Sequence, residues 1–417
     1  MKEHMKTTST IRTIPFIPGD GIGPEIMDAA QKVIDASVHH AYGSSKRIEW
    51  KAFRAGQAAF DEVGTWLPAS TIEAIKQFQV GIKGPLTTPV GGGIRSLNVS
   101  LRQMLDLFVC LRPVRWFEGL PSPHRTPQGI DVVIFRENIE DLYAGIEYQA
   151  GTPQHSQWMR AYRDALPEDY KKLPYPQECG IGIKPISRPN SQRLVHAALE
   201  WAVDNNRKRV TLVHKGNIMK YTEGAFRSWG YEEAENSFSS HIFSRRQYQS
   251  LVKEVGMEEA KRQREKALAN GNIWVDDVIA DVVFEQLITK PQNFDVIAVT
   301  NLNGDYLSDA AAALAGGVGV SPSANINFTN GTALFEANHG SAQDIAGLNK
   351  ANPSSLILSA EMMLRYIGWH EAAELIHKGL TESISHKKVT FDLAAQIEGA
   401  AILGTQEFAG TVISYMK

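Results

Sequence analysis

The sequence is poor in cysteine, in long apolar runs and in net charge, and each shortage removes a class of function. Its 417 residues include two cysteines, Cys110 and Cys179. Two thiols cannot make the disulfide framework of a small secreted fold, so the reducing cytoplasm is the expected compartment. Cys110 sits in the apolar run LFVCL, where a buried thiol is expected rather than half of a bridge. No stretch approaches the roughly eighteen apolar residues that a membrane span requires. The opening MKEHMKTTSTIRTI is basic and polar, lacks an apolar core or a small-residue cleavage site, and reads as a frayed tail. Lysine and arginine number 43 against 46 aspartates and glutamates, a formal charge of -3. Such a chain is not built to coat nucleic acid or an anionic membrane surface. Internal repeats and low-complexity tracts are also missing. What remains is a globular composition, 43% hydrophobic and 21% charged. The length exceeds one ordinary core, so two large lobes with smaller excursions are expected.

The organisation is α/β. In IPFIPGDGIGPEI a short apolar strand runs into Gly19-Asp20-Gly21-Ile22-Gly23, and Pro24 opens a helix through about Ala36. The glycine spacing is not G-x-G-x-x-G, and no strand ending in an acid follows at the expected distance. These glycines therefore read as a tight strand-to-helix turn. QVGIKGP, GIDVVIFREN, KRVTLVHKGN and FDVIAVTNLNGD are short apolar runs that end in polar residues, with helical patterns such as SQRLVHAALEWAVDNN between them. In such sheets ligands bind just past the strand C-termini. Two stretches break the pattern. Residues 141–187, rich in Pro, Gly and Tyr with little helical period, read as an excursion. Residues 241–272 are highly charged and helical, and read as a solvated surface insertion.

The chemistry concentrates in a few segments. A loop from Thr87 to Gly93 precedes Ser96, Asn98 and Arg102, which sit around a helix N-terminus suited to an anion. A strand is expected to end in Arg112-Pro113-Val114-Arg115, and Arg136 ends the next one. One such arginine alone is more often a surface ion pair. Three beside a Gly-rich loop and a Ser-x-Asn pair point to a polycarboxylate site. Asp305 and Asp309 are one helical turn apart, and Asp277 and Asp281 show the same spacing. A lone pair of this kind is usually a cap or a solvated face; two pairs beside a carboxylate cluster suit a hard divalent cation. Lys215 and Asn217 lie just past a strand, and Lys215 and Tyr143 are candidates for proton transfer. The run His339 to Gly347 is rich in Gly and Ala, so backbone can approach a ligand closely, and Asn352-Pro353 should start a helix as N-cap and first-turn proline. His339 suits a nucleotide base, and Asp344 has the chemistry to accept ribose hydroxyls and repel a 2′-phosphate.

GDGIGPE, IKGPLTTPVGGGIRSLNVSLRQ, RENIEDLYAGIE, LVHKGNIMK, NLNGDYLSDA and HGSAQDIAG together resemble the β-decarboxylating dehydrogenases, the family of isocitrate, isopropylmalate and homoisocitrate dehydrogenases. The likeness covers nearly the whole chain apart from the tail and the charged insertion. Within the family it is similar to the bacterial homodimeric members that act on isocitrate. The resemblance implies an α/β fold other than the Rossmann fold, with two α/β domains and a clasp. Residues 1–107 and 316–417 would form the large domain, 108–140 and 188–315 the small one, and 141–187 a clasp exchanged in a homodimer.

By motif position, Ser96, Asn98, Arg102, Arg112, Arg136 and Asn217 would hold isocitrate. Asp305 and Asp309, with Asp281 from a second subunit, would hold magnesium or manganese. Tyr143 and Lys215, the latter also from the second subunit, would move protons. Thr87, His339, Gly340, Ser341, Ala342, Asp344, Ile345 and Asn352 would contact the nicotinamide cofactor. The implied reaction is oxidation and decarboxylation of isocitrate to 2-oxoglutarate. The polar pair Ser96 and Asn98 would be left unsatisfied against an alkyl substrate, at about 1–3 kcal/mol per group, which favours isocitrate over isopropylmalate. Homoisocitrate or another 2-hydroxy-diacid is the alternative substrate, and a catalytically silent regulatory subunit a further reading. NADP-using bacterial members carry Lys-Tyr in the loop after the HG pair, and Tyr and Arg further on. Here Asp344-Ile345, Phe391 and Ala395 occupy those positions, which implies NAD, with NADP as the alternative if Lys387 or Lys388 compensates. No nucleic-acid or membrane partner is expected.

Overall fold

Alternation of short apolar strands with amphipathic helices builds one eleven-stranded sheet. The structure is a computed structural model that describes residues 10–88 and 95–417. Residues 1–9 of the expected N-terminal tail, and the part of the Thr87–Gly93 loop from residue 89 onward, lie outside the described residues; the tail's last residues, Ile11–Ile14, are not frayed but pair with Arg47–Trp50 in the sheet. The strands are β1 (Ile11–Ile17), β2 (Arg47–Ala52), β3 (Val80–Lys83), β4 (Val109–Arg115), β5 (Asp131–Glu137), β6 (Glu147–Tyr148), β7 (Ile181–Gly182), β8 (Arg209–His214), β9 (Ile242–Ser244), β10 (Ile273–Ile279), β11 (Val296–Val299), β12 (Pro322–Ile326) and β13 (Ala333–Ala337). In the large sheet their order is β2-β1-β3-β13-β12-β4-β5-β11-β8-β10-β9, while β6 and β7 pair apart from it.

The β2-β1-β3-β13 block is parallel, and so is β5-β11-β8-β10-β9. Between them β13–β12, β12–β4 and β4–β5 are all antiparallel. Three reversals make the two parallel blocks run in opposite senses. Central strands such as β3 and β11 are buried at every position, as parallel strands covered on both faces must be. The edge strand β2, RIEWKA, is mostly exposed and carries charge, which blunts pairing with another chain.

Three apolar clusters cover the sheet. The largest holds the helices Gly23–Tyr42, Ser354–Tyr366 and His370–Ser385. A second packs the helices Ala280–Thr289 and Asn301–Leu314 on β5 and β11 through Val283, Leu307 and Ile297. A third places the helix Leu97–Met104 on β1 and β13 through Leu101, Ile17 and Leu334. Both cysteines are free. Among the described residues no helix is long and apolar enough to cross a membrane.

Several expectations change in detail. The first helix continues to Tyr42, six residues past Ala36, because Val38 still falls on its buried face. The 141–187 stretch contains a thirteen-residue helix, Pro153–Ala165. Its buried stripe is narrow, only His155 and Met159 one turn apart, but Thr152 caps it and proline opens it. The 241–272 stretch is two helices, Arg245–Val255 and Met257–Ala269, preceded by β9, which is an edge strand of the main sheet. Asp277 and Asp281 do not share a helix face: Asp277 is on β10 and Asp281 in the first turn of the next helix. Parallel pairing of Trp274–Ile279 with β8, and of Ile273–Val275 with β9, makes this stretch strand. The Asn352-Pro353 helix begins one residue later, at Ser354, with the Asn352 side chain accepting from the Ser354 N–H at 2.9 Å.

The Gly19–Gly23 turn is a tight structural lock. Ile22 N–H donates to Ser341 O at 2.9 Å, and the Asp20 carboxylate accepts from the backbone N–H groups of Thr87 at 2.8 Å and Gln57 at 3.0 Å. Gly21 has φ +58°, and a Cβ there would lie 2.0 Å from Ser341 O. Gly64, at φ +71°, faces open space. Replacing Gly64 with Ala should cost about 1 kcal/mol of left-handed strain. Gly21→Ala adds an overpacking penalty and should cost about 2–4 kcal/mol. Equal losses in denaturant unfolding of the two variants would refute the lock.

Candidate active site

Helix Leu97–Met104 belongs to one of the smaller apolar clusters and helix Asn301–Leu314 to the other. Between them opens a polar pocket of about 240 Å³. Ser96, Asn98 and Arg102 reach it from the first helix, Arg112 from β4, Arg136 from β5, Asp305 from the second helix, and Tyr143 from the turn after β5. The three arginines thus converge, and β4 ends in Arg112-Pro113-Val114-Arg115 as the sequence suggested. Ser96 is the N-cap residue, but its hydroxyl makes no capping bond.

The arginines are buried, and two of them, Arg102 and Arg112, are incompletely paired among the described residues. Arg136 is 1% exposed; its Nε and Nη2 donate to Asn301 Oδ1 at 3.0 and 2.8 Å, and its Nη1 donates to Asp305. Burial, then Arg112 and Arg102, depress the Arg136 pKa from its ordinary value. Arg112 Nη1 donates to Ser308 Oγ at 2.5 Å and lies 3.6 Å from Asp305 and 3.4 Å from Asp309. One guanidinium touching both carboxylates shows that Asp305 and Asp309 face a common point. Among the described residues, Arg102 Nε, Arg112 Nε and Asn98 Oδ1 are buried without a partner. Buried polar groups seldom stay unpaired, so the two guanidinium donors suit an anionic ligand with several oxygens, and Asn98 Oδ1, an acceptor, suits a donor such as a hydroxyl.

Lys83 and Glu336 also line the pocket, and sequence reading missed both. Adjacent parallel strands put them in register, and Lys83 Nζ lies 2.7 Å from Glu336 Oε2. Arg102 Nη2 and Asn325 Nδ2 donate to Glu336 Oε1 at 3.0 and 2.7 Å. Burial opposes this charge, yet Lys83 and Arg102 hold the Glu336 carboxyl well below the usual range. The available signal was a charge inside each of two apolar strands, VGIK and ALFEA. The Tyr143 hydroxyl donates to Asp305 Oδ2, and its ring lies 4.8 Å from the Arg136 guanidinium. Burial pushes the phenol up and Asp305 adds to the rise, against the opposing pull of Arg136. Burial works against the Asp305 charge, but Arg136 and the Tyr143 hydroxyl keep its carboxyl low.

Lys215, Asn217 and Asp281 do not line this pocket. Lys215 follows β8 and its Nζ donates to Asp281, whose side chain is 63% exposed. Asn217 is exposed in the same turn. Asp305 and Asp309 supply the oxygen donors that a hard cation prefers, and magnesium is commonly held by one or two carboxylates with substrate and water oxygens. Among the described residues no group of three or more His, Cys, Asp or Glu converges to hold a metal ion.

The loop after β13 forms the pocket's other rim, through His339 and Gly340. His339 Nε2 is buried without a partner among the described residues, and burial lowers the imidazole pKa, which favours the neutral ring. Thr87 Oγ1 donates to Ser341 Oγ at 2.7 Å and ties this loop to the β3 turn. Ala342 has φ +38°, and Asp344 and Ile345 lie in the single turn Gln343–Ile345 with Asp344 exposed. Asn352 is buried and donates to Asp392 Oδ2 at 2.9 Å. Lys387 Nζ is committed to Glu398 O at 2.9 Å.

Comparison with known proteins follows from this geometry. A family model described as isocitrate/isopropylmalate dehydrogenase matches residues 13–412. A Staphylococcus aureus (strain MSSA476) protein named isocitrate dehydrogenase (NADP) is 53% identical over 97% of this chain and 95% of its own. A Pseudomonas aeruginosa (strain UCBPP-PA14) protein of the same name is 50% identical over 97% of this chain and 93% of its own. The crystal structure of isocitrate dehydrogenase from Methylococcus capsulatus superposes with a TM-score of 0.76, at 37% identity, over 97% of this chain and 99% of that one.

The NADP in the relatives' names overturns the expectation of NAD drawn from Asp344. The physical weakness of that expectation is visible in the fold. Asp344 is exposed. In water-like surroundings a carboxylate near a phosphate is worth only about 1 kcal/mol per charge pair at 4 Å, and salt screens it further. One such charge does not set cofactor choice.

Glu336→Gln would leave Lys83 and Arg102 buried without their shared counter-charge. A loss of about 3–5 kcal/mol is expected in unfolding experiments near neutral pH. The Glu336 carboxyl is depressed in the fold, so its stabilisation is present above its ordinary value of 4.5 and fades as the pH falls below that. The variant's stability should therefore converge on the parent's in acid; parallel pH profiles would refute the pairing.

Proposed function

The chain belongs to the isocitrate/isopropylmalate dehydrogenase family, and from that premise we propose that it oxidises and decarboxylates isocitrate to 2-oxoglutarate with NADP as hydride acceptor. The observation that carries the substrate is the pocket itself: three buried arginines, two of them with an Nε unpaired among the described residues, beside the polar Ser96 and Asn98. Bidentate guanidinium contacts suit carboxylates, and a tricarboxylate satisfies more of them than an alkyl-substituted diacid. NADP is supported by the names of relatives 53% and 50% identical across nearly the full chain.

In this reading Arg102, Arg112 and Arg136 grip the carboxylates and fix the substrate's orientation, while Ser96 and Asn98 meet the carboxylate farthest from the reacting carbon. Asp305 and Asp309 would hold magnesium or manganese, which when bound acidifies a hydroxyl and polarises the carbonyl that follows. Tyr143 donates the proton that replaces the departing carboxylate; the raised phenol pKa keeps that proton available. His339, with Thr87 and the Gly340–Ile345 loop, receives the nucleotide. Lys215 serves as the other proton-transfer group.

Lys215 and Asp281 sit outside the pocket of their own chain, beside Ile218 at 69% and Tyr221 at 92% exposure. That placement supports a homodimer in which each subunit lends this pair to the other's pocket. We also propose the division into a large domain (1–107 and 316–417), a small domain (108–140 and 188–315) and a clasp (141–187) built on the β6–β7 pair and the helix Pro153–Ala165.

Purified protein with isocitrate and magnesium should reduce NADP with a higher kcat/KM than NAD, and chelation of the metal should stop turnover until magnesium or manganese is restored. Silence with both nucleotides would refute the reading; faster NAD reduction would refute the cofactor alone. Tyr143→Phe and Lys215→Met homodimers should each be inactive. Mixed under subunit exchange, they should regain turnover through hybrids carrying one intact site. Failure of two dimeric, exchanging variants to complement would refute shared sites.

A further inference from the structure

Lys215 is presented by a turn whose two consecutive backbone N–H groups are both held by buried side chains. Lys215 N–H donates to Glu223 Oε2 at 2.9 Å, and Gly216 N–H donates to His214 Nδ1 at 3.0 Å. With Nδ1 accepting, a neutral ring carries its proton on Nε2, which faces Asp277 Oδ2 at 3.1 Å as donor. His214 is 4% exposed and Glu223 is fully buried.

Both acids are held in turn. Glu223 accepts from Thr300 Oγ1 at 2.9 Å and Asn303 Nδ2 at 3.0 Å, and pairs with Lys184 at 2.9 Å. Asp277 accepts from Tyr231 at 2.6 Å and lies 3.0 Å from Arg227. The turn has little freedom elsewhere, since a Cβ on Gly216 would lie 2.7 Å from Gly224 Cα. Its product is a fixed direction for one side chain: Lys215 Nζ donates to Asp281, away from the chain's own pocket.

We propose that His214 and Glu223 are positioning residues that aim the Lys215 ammonium for proton transfer, His214 acting with Asp277 as a donor–acceptor relay onto Gly216 N–H. The proposal rests on the proton-transfer reading of Lys215 given above. A network that merely stabilised the fold would have no need to address two successive amides beside one reactive side chain. Displacement of a reacting group by about 1 Å costs on the order of 100-fold in rate, so a small loosening of this turn is visible in kcat.

Two substitutions separate the halves of the imidazole. His214→Asn keeps an acceptor at the Nδ1 position for Gly216 N–H. His214→Gln keeps a donor toward Asp277 and loses that acceptor. The full-length protein with magnesium and NADP should show kcat about 10- to 100-fold lower in His214→Gln, with KM for isocitrate changed by no more than about 3-fold. Amide exchange over residues 215–217 should be faster in that variant, and His214→Asn should restore both kcat and protection. His214→Gln with parental kcat beside an inactive Lys215→Met would overturn the positioning role alone. The same holds if the Gln and Asn variants lose kcat equally and in step with melting temperature. A Lys215→Met variant with parental kcat would overturn the proton-transfer reading and this proposal together.

Discussion

Four cations, Lys83, Arg102, Arg112 and Arg136, are each exposed by no more than 8%, around a single pocket. Burying charge without compensation is costly, and removing one partner of a buried pair leaves the other stranded. Glu336 answers Lys83 and Arg102, while Asp305 answers Arg136 and lies close to Arg112. The cations still outnumber the buried acids, and two of their nitrogens, Arg102 Nε and Arg112 Nε, have no partner among the described residues. The rest of the site follows from this imbalance. The proposed tricarboxylate completes it, and the proposed divalent ion would take over Asp305 and Asp309 in the presence of substrate.

The sheet is arranged to support that imbalance. Its two parallel halves run oppositely and meet through three antiparallel pairings. Arg112 and Arg136 stand on the neighbouring strands β4 and β5, and Lys83 and Glu336 on β3 and β13 across the reversal. Helix Leu97–Met104 then brings Arg102 from one apolar cluster, and helix Asn301–Leu314 brings Asp305 from another. Each strand and helix is held by apolar burial. That burial carries the polar side chains to the pocket, where their own pairing, as at Glu336 with Lys83 and Arg102, adds to the stability of the fold.

Much of this was legible in residue order. Strands rich in Val and Ile, and helices opened by proline, declare themselves locally, so β3, β5, β8 and β11 lay where QVGIKGP, GIDVVIFREN, KRVTLVHKGN and FDVIAVTNLNGD suggested. The Arg and Asp positions of the pocket were visible because clusters of unusual residues stand out against a globular background. The helix Pro153–Ala165 was passed over because its buried stripe is only His155 and Met159, set in a mostly polar segment among prolines and glycines. Asp277 was misread because a spacing of four is compatible with both a helix face and a strand that runs into a helix. Lys83 and Glu336 each looked ordinary, because their meaning lies in a cross-strand register separated by 253 positions in sequence numbering from Lys83 to Glu336.

Sequence alone determined the α/β class, the family, and the residue types that could bind a carboxylate-rich substrate. These are local properties: periodicity, capping and motif content are written within a few residues of one another. Tertiary structure alone decided which charges face each other. It set Glu336 against Lys83 and Arg102, placed one guanidinium of Arg112 between Asp305 and Asp309, and left Lys215 and Asp281 outside the pocket of their own chain. The physical reason is that ion pairing and desolvation depend on distances of a few ångströms across elements far apart in sequence, and only the packed sheet and its helices set those distances.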